Sequence, residues 1–513
     1  MSVTIIVNNV WSKISGLQDV QLSDALDAIL SYHIEGYQYT KAFKSGYYDR
    51  KTNSFKRWDG LKHLFNNRSV FPTGLLTKVT KFFESRNILY TIDDRRPFIA
   101  QGEELEIQEY TPRPYQKEAV DLAVFHGRGI IKSATGSGKT LIAAMIVAKY
   151  NLPSFIYVIG KDLLFQFHKE MEKALGMPVG LVGDGKCILK KVNVCSVWTA
   201  ITSLGVSKTQ VSLDDTDWDP EIAEIGTDEK RALKAAIERT NLAIFDEAHF
   251  LATDTLQSIY KAGKNCRYLY GLTASPWRDD GADLLIESVC GPKIYNMPAS
   301  KLISMGYLTP PHIVLYEVPP MAEAMSGNYA SVYSKYVVKN EVRNGLIVDV
   351  AKKLIEKGRK LLILVRYLSH GRLLASMLEK EGIPLFFVNG EVDGETRQEV
   401  KTALENGDLK CLLASSVFDV GIDIPKLDSL ILAGSGKSSV KALQRIGRVI
   451  RIAPGKKDAI IVDFIDSSAR YLDKHFGYRL TIYESEPAFK IKFPKGFDPA
   501  SIKRVKKVNE KIS

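Results

Sequence analysis

One octapeptide constrains this chain more than any other feature: Ser133-Ala134-Thr135-Gly136-Ser137-Gly138-Lys139-Thr140. It follows the apolar run Gly129-Ile130-Ile131 and precedes the helical pattern Leu141 to Tyr150, so it reads as strand, glycine-rich turn, helix. Gly136 and Gly138 let the backbone of Thr135 to Gly138 curl until its N–H groups converge at the positive end of the helix, a cradle for phosphate. Lys139 is then placed to reach the β- and γ-phosphates of ATP, and the Thr140 hydroxyl to ligate Mg2+. Ser133 stands where the usual pattern has glycine. Alone, the segment also fits a glycine-rich turn with no ligand.

Asp246-Glu247-Ala248-His249 follows the β-rich run Leu242 to Phe245, which sets both acids at the carboxyl edge of a sheet, where open α/β sheets bind ligands. Asp246 would hold the magnesium through its water shell, because a hard cation takes oxygen ligands. Glu247 would orient and deprotonate an attacking water. His249 would couple the nucleotide site to a second lobe. An acidic strand end is common on α/β surfaces, and it is the preceding phosphate cradle that gives this one meaning.

Around these segments, strand-like runs alternate with helical ones. Phe155 to Ile159, Val192 to Cys195, Leu242 to Phe245 and Arg267 to Tyr270 form one series. Leu361 to Val365, Leu385 to Val388, Cys411 to Ala414, Leu430 to Leu432 and Ala459 to Val462 form a second, after the joint Thr309-Pro310-Pro311. Strands separated by helices predict parallel sheets. The expected organisation is an accessory domain over residues 1–105, one α/β lobe over 106–305 and another over 306–513. At 513 residues the chain exceeds one core, consistent with about three domains. The acidic, aperiodic stretch Leu213 to Lys230 is expected to be a surface insertion.

The net charge of +11 favours a polyanionic partner, since Lys and Arg gain affinity by displacing counterions from phosphates. The five cysteines are scattered without C-x-x-C spacing, so reduced thiols are expected rather than zinc or disulfides. The sequence shows neither a secretory signal nor about 18 consecutive apolar residues, and a soluble, cytoplasmic protein with no membrane partner is expected.

The cradle and the carboxylate pair together resemble the DEAH-type superfamily 2 helicases, and further matches extend over about 112 to 466. The resemblance implies two RecA-like parallel-sheet lobes in tandem, here with a small α+β N-terminal domain. Arg113-Pro114-Tyr115-Gln116 is similar to the adenine-recognition segment, which implies ATP contacts for Arg113 and Gln116. Leu272-Thr273-Ala274-Ser275-Pro276 resembles motif III, which implies that Thr273 and Ser275 couple hydrolysis to strand movement. Ser415 to Asp423 resembles motif V, with Gly421 and Asp423 at the nucleotide-contacting positions. Gln444-Arg445-Ile446-Gly447-Arg448-Val449-Ile450-Arg451 resembles motif VI, with Gln444 as a coupling residue. Independently of the name, Arg448 and Arg451 are one helical turn apart and share a face. Such arginines stabilise developing charge at the γ-phosphate, an effect worth about 10³ to 10⁵ in rate. Lys161 and Gln166 resemble motif Ia, and Trp198 and Thr199 occupy motif Ib beside an unusual Val197; these imply contacts to the tracked strand.

Between Gly36 and Arg68, eight basic residues, among them Lys51, Lys56 and Arg57, interleave with eight aromatics including Tyr39, Tyr47, Tyr48, Phe55 and Phe65. Cations hold phosphates while aromatic faces stack on bases, though a domain of about 100 residues also needs aromatic core. The basic tail from Phe489 is either a backbone clamp or a solvated end. Trp58-Asp59-Gly60 and Phe71 to Leu76, together with Gly390 to Arg397, resemble the phage UvsW-type helicases. That resemblance implies unwinding and branch migration of forks, D-loops and Holliday junctions in phage recombination, repair and replication. It further implies a monomer in the host bacterial cytoplasm beside other recombination proteins. An RNA helicase, and a duplex DNA translocase without strand separation, share the same lobes.

Overall fold

The computed structural model describes residues 3–34, 36–49, 53–206, 225–252, 254–274, 283–321, 328–390, 392–415, 424–434, 436, 439–502 and 504. Lys51, Ser275, Gly421 and Asp423 lie outside the described residues, as do most of the acidic insertion and the last residues of the tail. Contacts divide the chain into two compact units, Met1–Ser133 with Gly138–Asn296 and Ala134–Ser137 with Met297–Ser513. The first unit thus holds residues 3–94 together with the strands that follow, up to Asn296.

The first unit is built on an eight-stranded sheet. Its order is Lys186–Ile188, Gly180–Gly183, Val192–Ser196, Ser154–Val158, Leu242–Asp246, Tyr268–Thr273, Arg128–Ser133 and Lys293–Met297. The central strands Ser154–Val158 and Leu242–Asp246 are buried at every position, which is why they read as unbroken apolar runs rather than alternating ones. They pair in parallel, Phe155 opposite Ala243 and Ile156 opposite Ile244. Asp246 pairs with Leu272 in the next strand, and Thr273 with Lys132 in the one beyond, so these strands end along one edge. The helix Lys139–Tyr150 leaves from that edge and buries most of its length, including Ile142, Ile146 and Val147.

Residues 3–94 form a four-stranded sheet of order Val70–Pro72, Trp11–Ser15, Val3–Val7, Tyr90–Asp94. Alternate residues of Val3–Val7 are buried, and that face packs on the helices Val20–Ile29 and Leu76–Ser85 through Ile5, Leu26, Phe71, Val79 and Phe83. This small layer is locked to the larger sheet of its unit. Arg128, at the start of the strand leading into the phosphate loop, donates to Asn9 O at 2.7 Å, and Tyr260 donates to Val10 O at 2.5 Å. Asn9 in turn donates to Lys264 O at 3.0 Å. These bonds to main-chain carbonyls, with Val10 buried in the apolar core of the larger sheet and Leu284 packed on the core of the layer, join the two.

The second unit carries a seven-stranded sheet of order Leu385–Val388, Cys411–Ala414, Leu361–Leu364, Ser429–Leu432, Ala459–Asp466, Pro311–Val318 and Lys490–Lys492, parallel throughout. Pro311 opens a strand, the position where its missing N–H costs least. Two further segments take regular structure in part. The end of the acidic insertion is the first turn of the helix Thr227–Arg239, started by the Glu229 carboxylate accepting from Gly226 N–H at 2.7 Å. The tail from Phe489 is not simply a frayed end: Lys490–Lys492 adds an edge strand beside His312 to Val314, and Arg504 pairs with Glu484 at 2.7 Å. Among the described residues, no helix is long and apolar enough to cross a membrane.

Candidate active site

At the carboxyl edge of the first unit's sheet the strand Leu242–Asp246 delivers Asp246 and Glu247, and a short 3-10 turn, Ala248–Ala252, follows. Glu247 takes a φ of 49°, the left-handed region that non-glycine residues rarely occupy, so the chain turns sharply at the residue expected to do chemistry. Lys139 Nζ, at the start of its helix, lies 3.7 Å from Glu247 Oε1. His249 Nδ1 lies 3.2 Å from Glu247 Oε2 and 3.4 Å from Thr273 Oγ1. Lys139, Glu247, His249 and Thr273, expected in three separate motifs, thus meet in one cluster.

Asp246 is buried beside them, and burial, with the Glu247 charge adding to it and Lys139 opposing, pushes its carboxyl up to about 7. Its Oδ1 has no hydrogen-bond partner among the described residues. A buried carboxylate oxygen is costly unless something satisfies it. A hard divalent cation would do so, and the donor set of Asp246 with the Thr140 hydroxyl, both oxygen, fits magnesium.

Gln116 sits on the near side of the phosphate loop. Its Oε1 accepts from Arg113 N–H at 2.8 Å and caps the helix Pro114–His126. Gly138 has a φ of +77°, so the backbone favours glycine there, and the nearest atom to a Cβ would be the movable Gln116 Nε2 at 2.6 Å. Arg113 Nη1 donates to Tyr115 Oη at 3.1 Å. Gly136 is left-handed as well, and Ser137 N–H closes the turn onto Ala134 O at 3.1 Å. Ser133 is the fully buried last residue of its strand, which places it before the curl and explains why glycine is not needed.

In the second unit, Gln444, Arg445 and Arg448 lie on the helix Ser439–Val449. The shared-face argument is corrected for Arg451: the helix ends at Val449, one further turn bond runs from Ile450 N–H to Ile446 O, and Arg451 stands beyond it.

The expected strand contacts divide. Lys161 begins the helix Lys161–Leu175, is 61% exposed and pairs with Asp184 at 2.9 Å, and Gln166 is exposed on the same helix. Trp198 and Thr199 are 4% and 1% exposed inside the helix Val197–Ser203, and Trp198 belongs to the core beneath it. Their side chains pack the lobe, a correction to the expected strand contact. In the N-terminal layer, Lys56 lies on a hairpin with Tyr47 directly opposite, and Arg57 is exposed, donating to Phe43 O at 2.6 Å. The aromatics separate by role: Phe65 is core, whereas Tyr39 is 77%, Phe55 68% and Tyr48 58% exposed. Sequence reasoning passed over Arg128 and Asn9; a lone arginine opening the apolar strand Arg128–Ser133 was the available signal.

Residues 109–278 match the family described as type III restriction enzyme, res subunit, and residues 346–453 match the helicase conserved C-terminal domain. A helicase of Sulfolobus islandicus filamentous virus is 26% identical over 469 residues, spanning 85% of this chain and 80% of its own. The ATP-dependent DNA helicase uvsW of Enterobacteria phage T4 is 26% identical over 466 residues, spanning 85% of this chain and 86% of its own. The solved structure of S. cerevisiae Dbp5 bound to RNA and ADP BeF3 covers 75% of this chain and 90% of its own, with a TM-score of 0.50 and 14% identity. The matched domains and the helicase relatives mark an ATP-dependent helicase. The chain is similar to the superfamily 2 helicases, and phage uvsW is among its relatives.

Proposed function

We propose that this chain is an ATP-dependent DNA helicase that unwinds and branch-migrates forks, D-loops and four-way junctions. The observation that carries the reading is the cluster of Lys139, Asp246, Glu247, His249 and Thr273 at one sheet edge, since it supplies a phosphate-binding cation, a water-activating base and a relay in one place. Thr140 and Asp246 would hold magnesium, which neutralises charge on the phosphates. Glu247 takes a proton from the attacking water while Lys139 holds the phosphates, and Arg448 and Arg451 of the second lobe meet the charge that develops. His249, whose Nδ1 lies within 3.4 Å of both Glu247 Oε2 and Thr273 Oγ1, links the base to the strand end expected to couple hydrolysis to strand movement.

DNA as the track is supported by the relatives named as DNA helicases and by the N-terminal layer, whose exposed Tyr39, Tyr48 and Phe55 lie among Lys44, Lys56 and Arg57. A panel of synthetic forks, four-way junctions and structured RNAs tests the reading through ATPase stimulation and strand release. Forked DNA should stimulate turnover most and be unwound with ATP. Preferential stimulation by RNA would overturn the DNA assignment, and triplex displacement without fork unwinding would reduce the activity to duplex translocation.

A further inference from the structure

Two buried ion pairs in the second unit have no part in the chemistry above. Arg343, fully buried on the helix Glu341–Glu356, donates from Nε to Asp466 Oδ1 at 3.0 Å, and its guanidinium lies 4.7 Å from the Phe464 ring centroid. Arg479, on the helix Arg470–Glu484, donates from Nε to Asp463 Oδ2 at 2.7 Å and from Nη2 to Oδ1 at 3.1 Å. Tyr483 donates its hydroxyl to Asp463 Oδ2 at 2.9 Å. Both aspartates belong to the strand Ala459–Asp466.

Buried ion pairs of this kind are poor stabilisers, because desolvating the charges offsets most of their attraction. What these two share is the destination of one Nη1 group each. Arg343 Nη1 donates to Ala433 O at 2.8 Å and Arg479 Nη1 to Gly436 O at 3.1 Å. Ala433 and Gly436 lie in the connection from the strand Ser429–Leu432 to the helix Ser439–Val449, which bears Arg448. Between them, Gly434 N–H donates to Leu364 O at 2.7 Å, and a Cβ on Gly434 would lie 2.4 Å from Arg366 N. Ala433, Gly434 and Gly436, which precede the helix, are therefore held to the sheet by main-chain contact and by two rigid guanidinium forks.

The far end is pinned too. Lys456 Nζ, largely buried, donates to Val449 O, the last carbonyl of the helix, and to Pro425 O at 3.0 Å and Leu427 O at 2.5 Å. Thr309 N–H donates to Ile450 O at 2.7 Å, just before Arg451. A charged donor that satisfies carbonyls from two segments sets their relative placement.

We propose that Arg343, Arg479 and Lys456 are positioning residues that fix both ends of the helix Ser439–Val449 and thereby hold Arg448 and Arg451 in the orientation required for hydrolysis. This rests on the role given above to those two arginines. A planar fork can serve a carboxylate and a carbonyl in fixed, different directions, whereas an ammonium cannot reproduce that geometry, so lysine keeps the charge and loses the alignment.

The test uses the full chain with saturating forked DNA. Arg343→Lys and Arg479→Lys should each lower kcat about tenfold or more, with KM for ATP and fork affinity within about twofold of wild type. Amide exchange over 433–449 should accelerate while the strand Pro311–Val318 stays protected. Should either variant fail to fold, Tyr483→Phe, which keeps the ion pair and removes one bond to Asp463, should give the same split at about two- to fivefold. Unchanged kcat in folded variants overturns the proposal, as does a parallel loss of kcat, ATP binding and fork affinity, which marks a purely structural role. Arg451→Ala separates this from the parent reading. If it is inactive while the lysine variants turn over normally, the clamp alone is wrong. If Arg451→Ala itself hydrolyses like wild type, the arginine assignment falls and the purpose of the clamp falls with it.

Discussion

Replacing Glu247 by glutamine should separate nucleotide binding from nucleotide hydrolysis. The amide keeps the size of the side chain but cannot accept a proton from water, so DNA-stimulated kcat should fall about 10²- to 10⁴-fold. Binding should move in the opposite direction. Glu247 Oε1 lies 3.7 Å from Lys139 Nζ and competes with phosphate for that ammonium. With an effective dielectric of about 20, the attraction is about 4 kcal/mol before solvation. Both groups are largely buried, yet each gives up hydration to form the pair, and a net of about 1 kcal/mol corresponds to roughly fivefold tighter ATP binding in the variant. Stopped-flow binding of a fluorescent ATP analogue and phosphate release on forked DNA measure the two quantities separately. Turnover within about threefold of wild type would remove Glu247 from the role of base. ATP affinity about tenfold weaker would show that Glu247 supports Lys139 rather than competing for it.

Lys139→Ala should abolish phosphate release and weaken ATP binding together, and wild-type-like hydrolysis in a malachite-green assay would refute its phosphate role. Gly74→Ala places a Cβ 2.3 Å from Glu287 O and 2.4 Å from Ser288 O, both main-chain atoms that cannot swing away. Urea unfolding should show a loss of about 1–3 kcal/mol, with faster proteolysis between the N-terminal layer and the helix Pro114–His126; unchanged values would deny that this contact holds the layer in place. His370 is buried, and burial with the neighbouring Arg343 charge lowers its imidazole to about 3. The unfolded chain takes up this proton below about 6.5 and the folded one does not, so stability is intact above that pH and declines as pH falls, by up to about 1.4 kcal/mol per unit. His370→Gln should flatten the melting-temperature profile between pH 6.5 and 4.5, and an unaltered slope would assign acid sensitivity to other groups.

Much of this protein was legible in the linear order of its residues because parallel strands covered on both faces are unbroken apolar runs. The run at Cys411–Ala414 coincides with its strand, and those at Leu361 and Leu242 differ from theirs by one residue. Local chemistry was legible for the same reason: the turn at Gly136 and Gly138 and the acids after Phe245 follow directly from short stretches of backbone. The edge strands Lys186–Ile188 and Lys490–Lys492 escaped notice because three polar-flanked residues have no periodicity of their own and exist only where a neighbour offers unpaired main-chain groups.

What the tertiary structure alone decided is which side chains face which. Residue types in a motif say nothing about burial, so Trp198 and Thr199 looked like strand contacts until packing placed them in the core. Helical spacing likewise suggested one face for Arg448 and Arg451, whereas the end of the helix at Val449 depends on carbonyls held by Lys456 and Thr309. The partners of Arg128, Arg343 and Arg479 were not legible in the sequence. An arginine reads as surface until a distant carboxylate or carbonyl takes its charge, and Arg128 with Asn9, or Arg343 with Asp466, are joined only by the folded chain.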